Sequence, residues 1–537
     1  MITKNIKHYI AAGVLCCGTA VALTACSDWS DHFEDPVSDA GNATLWQTMK
    51  QRPELSDFCE VLQQTKVVKN HRTTAVSYAD LLDGTQTFTV FAPVNGTFNK
   101  DSLLSLVTTA RGDSMVERSF IGNHLSYNIG SSVDTPTELF LLNAKRLVIE
   151  DNKVLNVPIT EANVKAKGGV LHVMQNRLPY RYNLYEVMLN DPAYSAIGEQ
   201  LASYQHDEFM PAQSVEGDMV DGEQVYVDSV FYERNLLMER IGALSAEDSS
   251  YTFIVPEAQE WERVWQEAMD YFRYDSSVAD GDSLQRYWAN AALLGDAVFS
   301  RTIQTSPTDS LKTYAYDRHY PKYHVFHRPF EPGGILYGAS ATEYSNGTLY
   351  TTQQWPFTPQ MTYHREIKAE GERLGLVVND SLCNYVTRVL AADSVSENAY
   401  LDIIATSSSR NWTMTFKLEN TLAGAYDICA VILPLSVYDP NATLRPNRFQ
   451  VDLNYVDANG KAVLEDFGQT KFSNDPTRVD TVVIAENFVF PVCNYDQTNL
   501  KFTLKLKCSI LPRENTTYSR EMYLDCIFLR PRNSKPE

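Results

Sequence analysis

The twelve residues Thr87 to Phe98, TFTVFAPVNGTF, restrict the fold more than any other stretch of the chain. Thr-Phe-Thr-Val-Phe is rich in β-branched and aromatic residues and reads as a buried strand. Pro93 has no N–H to give to a sheet, so it marks the strand's end. Asn95-Gly96 then supplies turn chemistry, and a different element must begin. Ahead of this strand, LWQTMKQRPELSDFCEVLQQTKVV has helical spacing. Leu45, Met49, Leu55, Phe58, Val61 and Leu62 can share one face, with Pro53 separating two helices. After the strand come the helical patterns DSLLSLVTTA and SMVERSFIGNHLSY, then the short strands KRLVIED, NKVLNVPIT and GGVLHVMQNRLP.

A worn copy of the same device follows. YTFIVPEAQEW, Tyr251 to Trp261, puts Pro256 where Pro93 stood and Trp261 where Phe98 stood. Asn346-Gly347-Thr348-Leu349-Tyr350 matches Gly168-Gly169-Val170-Leu171-His172, with Tyr350 in the place of His172; Pro356 and Pro179 follow the two runs. From Phe91 to Gly169 is 78 residues and from Ile254 to Gly347 is 93, an excess that fits insertions such as DSSVADGDS. Pro93 and Pro256 are therefore expected to occupy equivalent places, each ending a strand and preceding a helix.

This order resembles the fasciclin domain. Thr89–Phe98 is similar to that family's first signature box, Asn123-His124 to the pair before its middle strands, and Gly168–His172 to its second box. The resemblance covers about 140 residues of the first copy. It implies two fasciclin-like domains, the second divergent.

From about Gly371 the texture changes. AYLDIIAT, WTMTFKLE, AYDICAVILP, NRFQVDLNYV, TVVIAENFVF, LKFTLKLKCSIL and MYLDCIFLRP alternate with a period of two between Gly, Pro, Asn and Asp, which implies a β-sandwich. AGAYDICAVILP and MYLDCIFLRP resemble jelly-roll carbohydrate-binding modules at the level of fold, with no ligand residue implied. The expected class is α+β: two fasciclin-like domains followed by an all-β jelly-roll-like sandwich. Expected boundaries are 1–25 for a leader, 26–43 for a tether, 44–183 and 184–368 for the fasciclin domains, and 369–537 for the sandwich. A length of 537 residues fits roughly three domains.

The first residues read as a targeting segment. Lys4 and Lys7 precede the apolar run AAGVLCCGTAVALTA, too short for a membrane span, which ends at Cys26. Leu23-Thr24-Ala25-Cys26 resembles the bacterial lipobox, which implies an acylated Cys26 as the first mature residue and a lipid anchor in a membrane. The acidic SDWSDHFEDP behind it resembles the export signal that places lipoproteins on the outer face of some glycan-harvesting Gram-negative bacteria. The expected location is the outer membrane, facing the cell exterior.

Charge narrows the partners. Against 46 Lys and Arg stand 67 Asp and Glu, a net charge of -21, and such a surface repels phosphate backbones, so no nucleic acid is expected. Cys16 and Cys17 leave with the leader. Cys59, Cys383, Cys429, Cys493, Cys508 and Cys526 show no CxxC spacing and read as buried thiols, with one bridge in the C-terminal region left open.

No nucleophile elbow, HExxH pair or phosphate loop occurs, and no catalytic residue, cofactor or metal is assigned. His319, His324 and His327 with Asp317 form the best metal candidate, but Pro321 and Val325-Phe326 argue for an extended segment. There, positions three apart point to opposite faces. His172 and His124 lie in apolar surroundings, where a neutral imidazole satisfies a buried hydrogen bond. Arg111-Gly112-Asp113 spells a tripeptide read by animal integrins, yet it falls between two helical patterns, with Gly112 as a C-cap and Asp113 as an N-cap. Trp288, Trp355 and Trp412, with 30 tyrosines, offer faces for stacking on sugars but fit cores equally well.

Three functions fit. First is a non-catalytic surface lipoprotein that binds a glycan or peptide ligand or docks on an outer-membrane transporter complex for nutrient uptake. Second is a fasciclin-type cell-adhesion protein. Third is a hydrolase whose site one sequence does not show. An aromatic groove on the sandwich would favour sugar binding, an exposed apolar patch on the fasciclin pair docking, and a buried pair of close carboxylates an enzyme.

Overall fold

The computed structural model describes residues 42–532 except 71, 132, 134, 221–222, 301–309 and 318–321. Cys26, its leader and most of the tether lie outside the described residues, as does His319. The chain is α+β, with two fasciclin-like domains, the second divergent, and a jelly-roll-like sandwich. It divides into two compact units, one running to Tyr182 together with Glu208–Tyr232, the other comprising Asn183–Asp207 and Glu233 onward.

In the first unit the strand Phe88–Pro93 is buried at every position and pairs in parallel with Gly169–Met174, Phe88 opposite Gly169 and Pro93 opposite Met174. Pro93 is the last residue of the ladder because it has no N–H for a further rung. Asn95 then fixes the turn: its Oδ1 accepts from the Asp57 N–H at 2.9 Å and its Nδ2 donates to the Pro53 carbonyl at 2.8 Å. Asn99 caps the helix Lys100–Leu104 that follows, accepting from the Ser102 N–H at 2.9 Å. Leu45, Met49, Leu55, Phe58, Val61 and Leu62, the six residues of the expected helical face, are all 0% exposed. The sheet has seven strands, in the order Leu125–Ser126, Phe88–Pro93, Gly169–Met174, Val157–Ala166, Lys153–Val154, Arg146–Glu150, Thr137–Phe140. A bridge from Ser126 to Leu141 draws its two ends together.

The second unit repeats the central pair. Tyr251–Pro256 runs parallel to Gly347–Thr352, Tyr251 opposite Gly347 and Pro256 opposite Thr352. Pro256 ends its strand one residue before the cap of the helix Ala258–Tyr271, whose Trp261 is 1% exposed in the core. The six-stranded sheet runs Lys322–His327, Ser310–Asp317, Val298–Phe299, Tyr251–Pro256, Gly347–Thr352, Ser340–Tyr344.

The sandwich holds all seven alternating segments as strands in two six-stranded sheets. One face of each packs inward, so that Leu401, Ile403, Ile428, Ile432, Leu524 and Ile527 of one sheet meet Met414, Phe416, Val451, Leu453, Leu504 and Leu506 of the other. The strand Ile367–Glu370 already belongs to it, paired with the last strand Met522–Pro531. The six described cysteines are free and buried. Trp412 lies in this core at 1% exposed and donates its Nε1–H to the Arg520 carbonyl at 2.7 Å.

The second fasciclin-like domain and the sandwich share one unit, and the insertion DSSVADGDS lies on their seam. Lys501 Nζ meets the Asp275 carboxylate at 2.9 Å, and the Ser276 N–H donates to the Ala458 carbonyl at 3.1 Å. Asp275 has 2% of its side chain exposed, and despite the cost of burial the bonds from Ser277 and Lys501 hold its pKa below the usual range. An aromatic chain continues the contact: Trp288 to Tyr495, Tyr495 to Phe272 and Phe272 to Tyr363, with centroids 5.0, 5.2 and 5.7 Å apart.

Candidate functional site

The sheet of the second fasciclin-like domain carries a groove of about 720 Å³, within the ~300–1,000 Å³ of small-ligand sites. Its floor is the antiparallel pair Ser310–Asp317 and Lys322–His327. Strand alternation puts Lys312, Tyr314 and Tyr316 on one exposed face, and Tyr323 sits opposite Tyr316 in the ladder. Tyr314, Tyr316 and Tyr323 are 39%, 45% and 40% exposed, large values for aromatic side chains held within a sheet. Tyr287, from the helix Gly281–Gly295, forms one wall; Leu236, Glu239 and Arg240, at and beside the short helix Met238–Ile241, form another.

Ring and charge contacts fix these side chains. Tyr316 and Tyr323 meet edge to face at 5.1 Å, and Lys312 Nζ lies 3.9 Å from the Tyr323 ring centre. The Arg240 guanidinium lies over Trp288 at 4.6 Å. Glu239 is engaged by Arg234 through bonds of 2.5 and 2.6 Å, which lower its pKa and neutralise its charge locally. Among the described residues, neither Arg240 nor Lys312 has a carboxylate within ion-pairing distance.

A narrower recess of about 70 Å³ adjoins the groove through Arg240 and Tyr316, lined by Phe272, Trp288 and Tyr363 together with a charged cluster. There the structure brings Asp317 and His324 together with Asp296, the residue after the helix Gly281–Gly295. His324 Nδ1 bonds the Asp296 carboxylate, and its Nε2 lies 3.4 Å from Asp317 Oδ2. Burial works against charging His324, but the bonds to Asp296 and Asp317 outweigh it and raise its pKa. Burial also raises the Asp296 pKa, against the pull of the imidazole. Nδ1 is held by the Asp296 carboxylate, while the buried Nε2 has no hydrogen-bond partner among the described residues. His327 points to the other face of the strand and bonds Ser310 Oγ at 3.0 Å. Among the described residues no group of three or more His, Cys, Asp or Glu is arranged to hold a metal ion.

The other sequence candidates have structural partners. His172 donates from Nε2 to the Gly130 carbonyl at 2.7 Å, accepts from the Asn163 N–H at Nδ1, and stacks on Phe91. His124 donates from Nδ1 to the Phe120 carbonyl at 2.7 Å and accepts from the Leu178 N–H at 2.9 Å; burial pushes its pKa down to about 4. Both are neutral struts. Arg111-Gly112-Asp113 corrects the sequence reading: it lies inside the helix Ala110–Ser119, capped by Thr109, so Gly112 is no C-cap and Asp113 no N-cap. Asp113 is 3% exposed and accepts from the Lys66 N–H at 3.1 Å and Thr73 Oγ1 at 3.2 Å, which removes it from any outside receptor. Trp288 lies in the helix Gly281–Gly295, and Trp355 packs against Trp261.

One carboxylate cluster lies in the sandwich. Glu370 and Asp525 share Ser396, whose Oγ–H donates to Glu370 at 2.7 Å and whose N–H donates to Asp525 at 3.0 Å. Burial, with Glu370 and Glu372 nearby, raises Asp525 to about 7. At 4% and 3% exposed, Glu370 and Asp525 are sealed from any substrate.

No family model matches this sequence, and no curated protein matches it. Among solved structures the chain is similar to a FAS1 domain pair from the insect cell adhesion molecule fasciclin I, at 12% identity over 58% of this chain and 99% of that one, TM-score 0.19. It is also similar to a family 35 carbohydrate binding module from Clostridium thermocellum, at 11% identity over 30% of this chain and 96% of that one, TM-score 0.19. A third likeness is to the CBM22-2 xylan-binding domain from Paenibacillus barcinonensis Xyn10C, at 9% identity over 31% of this chain and 98% of that one, TM-score 0.21. The site described here rests on its own geometry.

Nothing in the sequence separates Tyr314, Tyr316 and Tyr323 from the rest of the 30 tyrosines except their spacing. Lys312-x-Tyr314-x-Tyr316 alternates with period two, and that is the signal that finds one face of a strand. Asp296 carries no such signal.

Proposed function

We propose that this chain is a non-catalytic, lipid-anchored protein of the outer-membrane surface that binds a glycan and docks on a nutrient-uptake complex. The observation that carries the reading is the open groove with exposed Tyr314, Tyr316 and Tyr323 and polar groups between them. Tyrosine faces stack on the apolar C–H surfaces of sugar rings, and their hydroxyls exchange hydrogen bonds with sugar hydroxyls. The sequence named an aromatic groove on the sandwich as the feature that would favour sugar binding; this reading puts the groove on the second fasciclin-like domain. Anchoring and location rest on the Leu-Thr-Ala-Cys box and the acidic stretch behind it.

The test is a glycan array followed by calorimetry on the mature protein and on Tyr316→Ala/Tyr323→Ala. Wild type should bind at least one oligosaccharide. The double variant should lose ~100-fold or more in affinity, as expected for removal of two stacking faces, while melting as wild type does. No saccharide bound by wild type contradicts the reading. Separately, Cys26→Ser should leave the membrane fraction, and a variant that stays there as a monomer removes the anchor.

A further inference from the structure

The glycan reading leaves the class of sugar open, and the charges of the groove narrow it. The protein as a whole is strongly acidic, at -21. The groove departs from that average. Its charged lining consists of Glu239, Arg240 and Lys312, and Glu239 is already neutralised by Arg234. In the adjoining recess, Asp296 and Asp317 are turned to His324, which their bonds hold toward its charged form. Arg365 lies beside the same imidazole and donates to the Met361 carbonyl at 2.5 Å. Among the described residues Arg240 and Lys312 therefore have no carboxylate within ion-pairing distance, and neither points away. Arg240 is laid over Trp288 at 4.6 Å and Lys312 over Tyr323 at 3.9 Å, contacts that hold the positive groups beside the stacking surfaces.

A neutral sugar needs stacking faces and hydroxyl partners, and gains little from two unpaired cations. From this we infer that the groove takes an acidic saccharide, a uronate-containing or sulfated oligosaccharide, with Arg240 and Lys312 meeting its anionic groups. The inference rests on the glycan reading of the same groove. Distant acidic residues do not cancel this local field, because charges more than ~8 Å apart are screened at physiological salt. Arg240 offers a planar fork that matches a carboxylate or sulfate, and Lys312 a mobile point charge. Four tyrosines, Tyr287 among them, favour a saccharide over an acidic peptide, whose extended backbone presents no ring faces to them.

The experiment compares oligosaccharides matched in acid and neutral form by calorimetry at low and high salt. Tetragalacturonate is set against its methyl ester, a hyaluronan tetrasaccharide against its carboxyl-reduced form, and a sulfated carrageenan oligosaccharide against its desulfated form. Pentaglutamate serves as the acidic peptide. At least one acid form should bind ~10-fold or more tighter than its neutral partner, and the gap should close as salt rises. Lys312→Gln, an exposed position, should close most of that gap by weakening the acid form far more than its neutral partner. Arg240→Lys, which keeps the charge and loses the fork, should fall between. Equal binding of acid and neutral forms overturns the inference and leaves the glycan reading standing. Binding of none of them overturns the inference, and overturns the glycan reading as well when the array is also blank; pentaglutamate binding as tightly as the acid sugars overturns the saccharide assignment.

Discussion

The two fasciclin-like domains are built around the same pair of strands and differ in whether the sheet closes around it. In each, six residues of the first box run parallel to six of the second, a proline takes the last rung, and a glycine takes the first rung of the second strand. In the first domain the sheet extends beyond Gly169–Met174 through Val157–Ala166 to Thr137–Phe140, and the Ser126–Leu141 bridge joins its ends. In the second, Val298–Phe299 flanks Tyr251–Pro256 as Leu125–Ser126 flanks Phe88–Pro93, and the sheet runs on to the pair Ser310–Asp317 and Lys322–His327 with no pairing, among the described residues, that joins its ends. That outer pair carries Lys312, Tyr314, Tyr316 and Tyr323. The central ladder fixes the frame, while closure of the first sheet and the open end of the second set which faces stay open to a ligand.

The glycines offer the most severe way to break this equivalence. A Cβ on Gly169 would stand 1.8 Å from the Phe88 carbonyl oxygen, and one on Gly347 2.1 Å from that of Tyr251; both residues have positive φ, +139° and +153°. The parallel strands close over a position that admits no side chain. Gly169→Ala and Gly347→Ala should each cost ~4 kcal/mol or more, the range reached when backbone must separate. Urea unfolding of each variant checks it. A Gly347→Ala protein as stable as wild type would show that the second ladder is not the counterpart of the first.

A smaller effect sharpens the contrast at the next shared position. His172, opposite Phe91, bonds Gly130 and Asn163, whereas its counterpart Tyr350, opposite Ile254, packs into an apolar cluster. His172→Leu should cost ~1–3 kcal/mol, the penalty of leaving a buried partner unpaired. Saccharide binding by the folded fraction should be unchanged. Normal stability with lost binding would place His172 in a site.

What the sequence showed plainly was whatever rests on local chemistry. Pro93 and Pro256 had to end strands, the helical spacing of Leu45 to Leu62 had to be one buried face, and the seven alternating segments had to be strands, of which Gly424–Leu433 and most of Met522–Pro531 are buried on both faces. Two-residue strands such as Leu125–Ser126 and Val298–Phe299 are too short for a period to show. Arg111-Gly112-Asp113 misled because Thr109, not a residue of the tripeptide, supplies the cap. The groove was hidden for a different reason. Its tyrosines, Arg240 and Lys312 lie on four elements whose meeting depends on long-range strand order, and no local pattern encodes that order.

The most direct measurement is hydrogen exchange of the mature protein with and without a saturating oligosaccharide found on the array. Protection should fall on Ser310–Asp317, Lys322–His327 and the helix Gly281–Gly295, with none on the strands of the sandwich or of the first domain. Protection centred on the sandwich strands, with the outer pair of the second domain unchanged, would contradict the assignment of the ligand site.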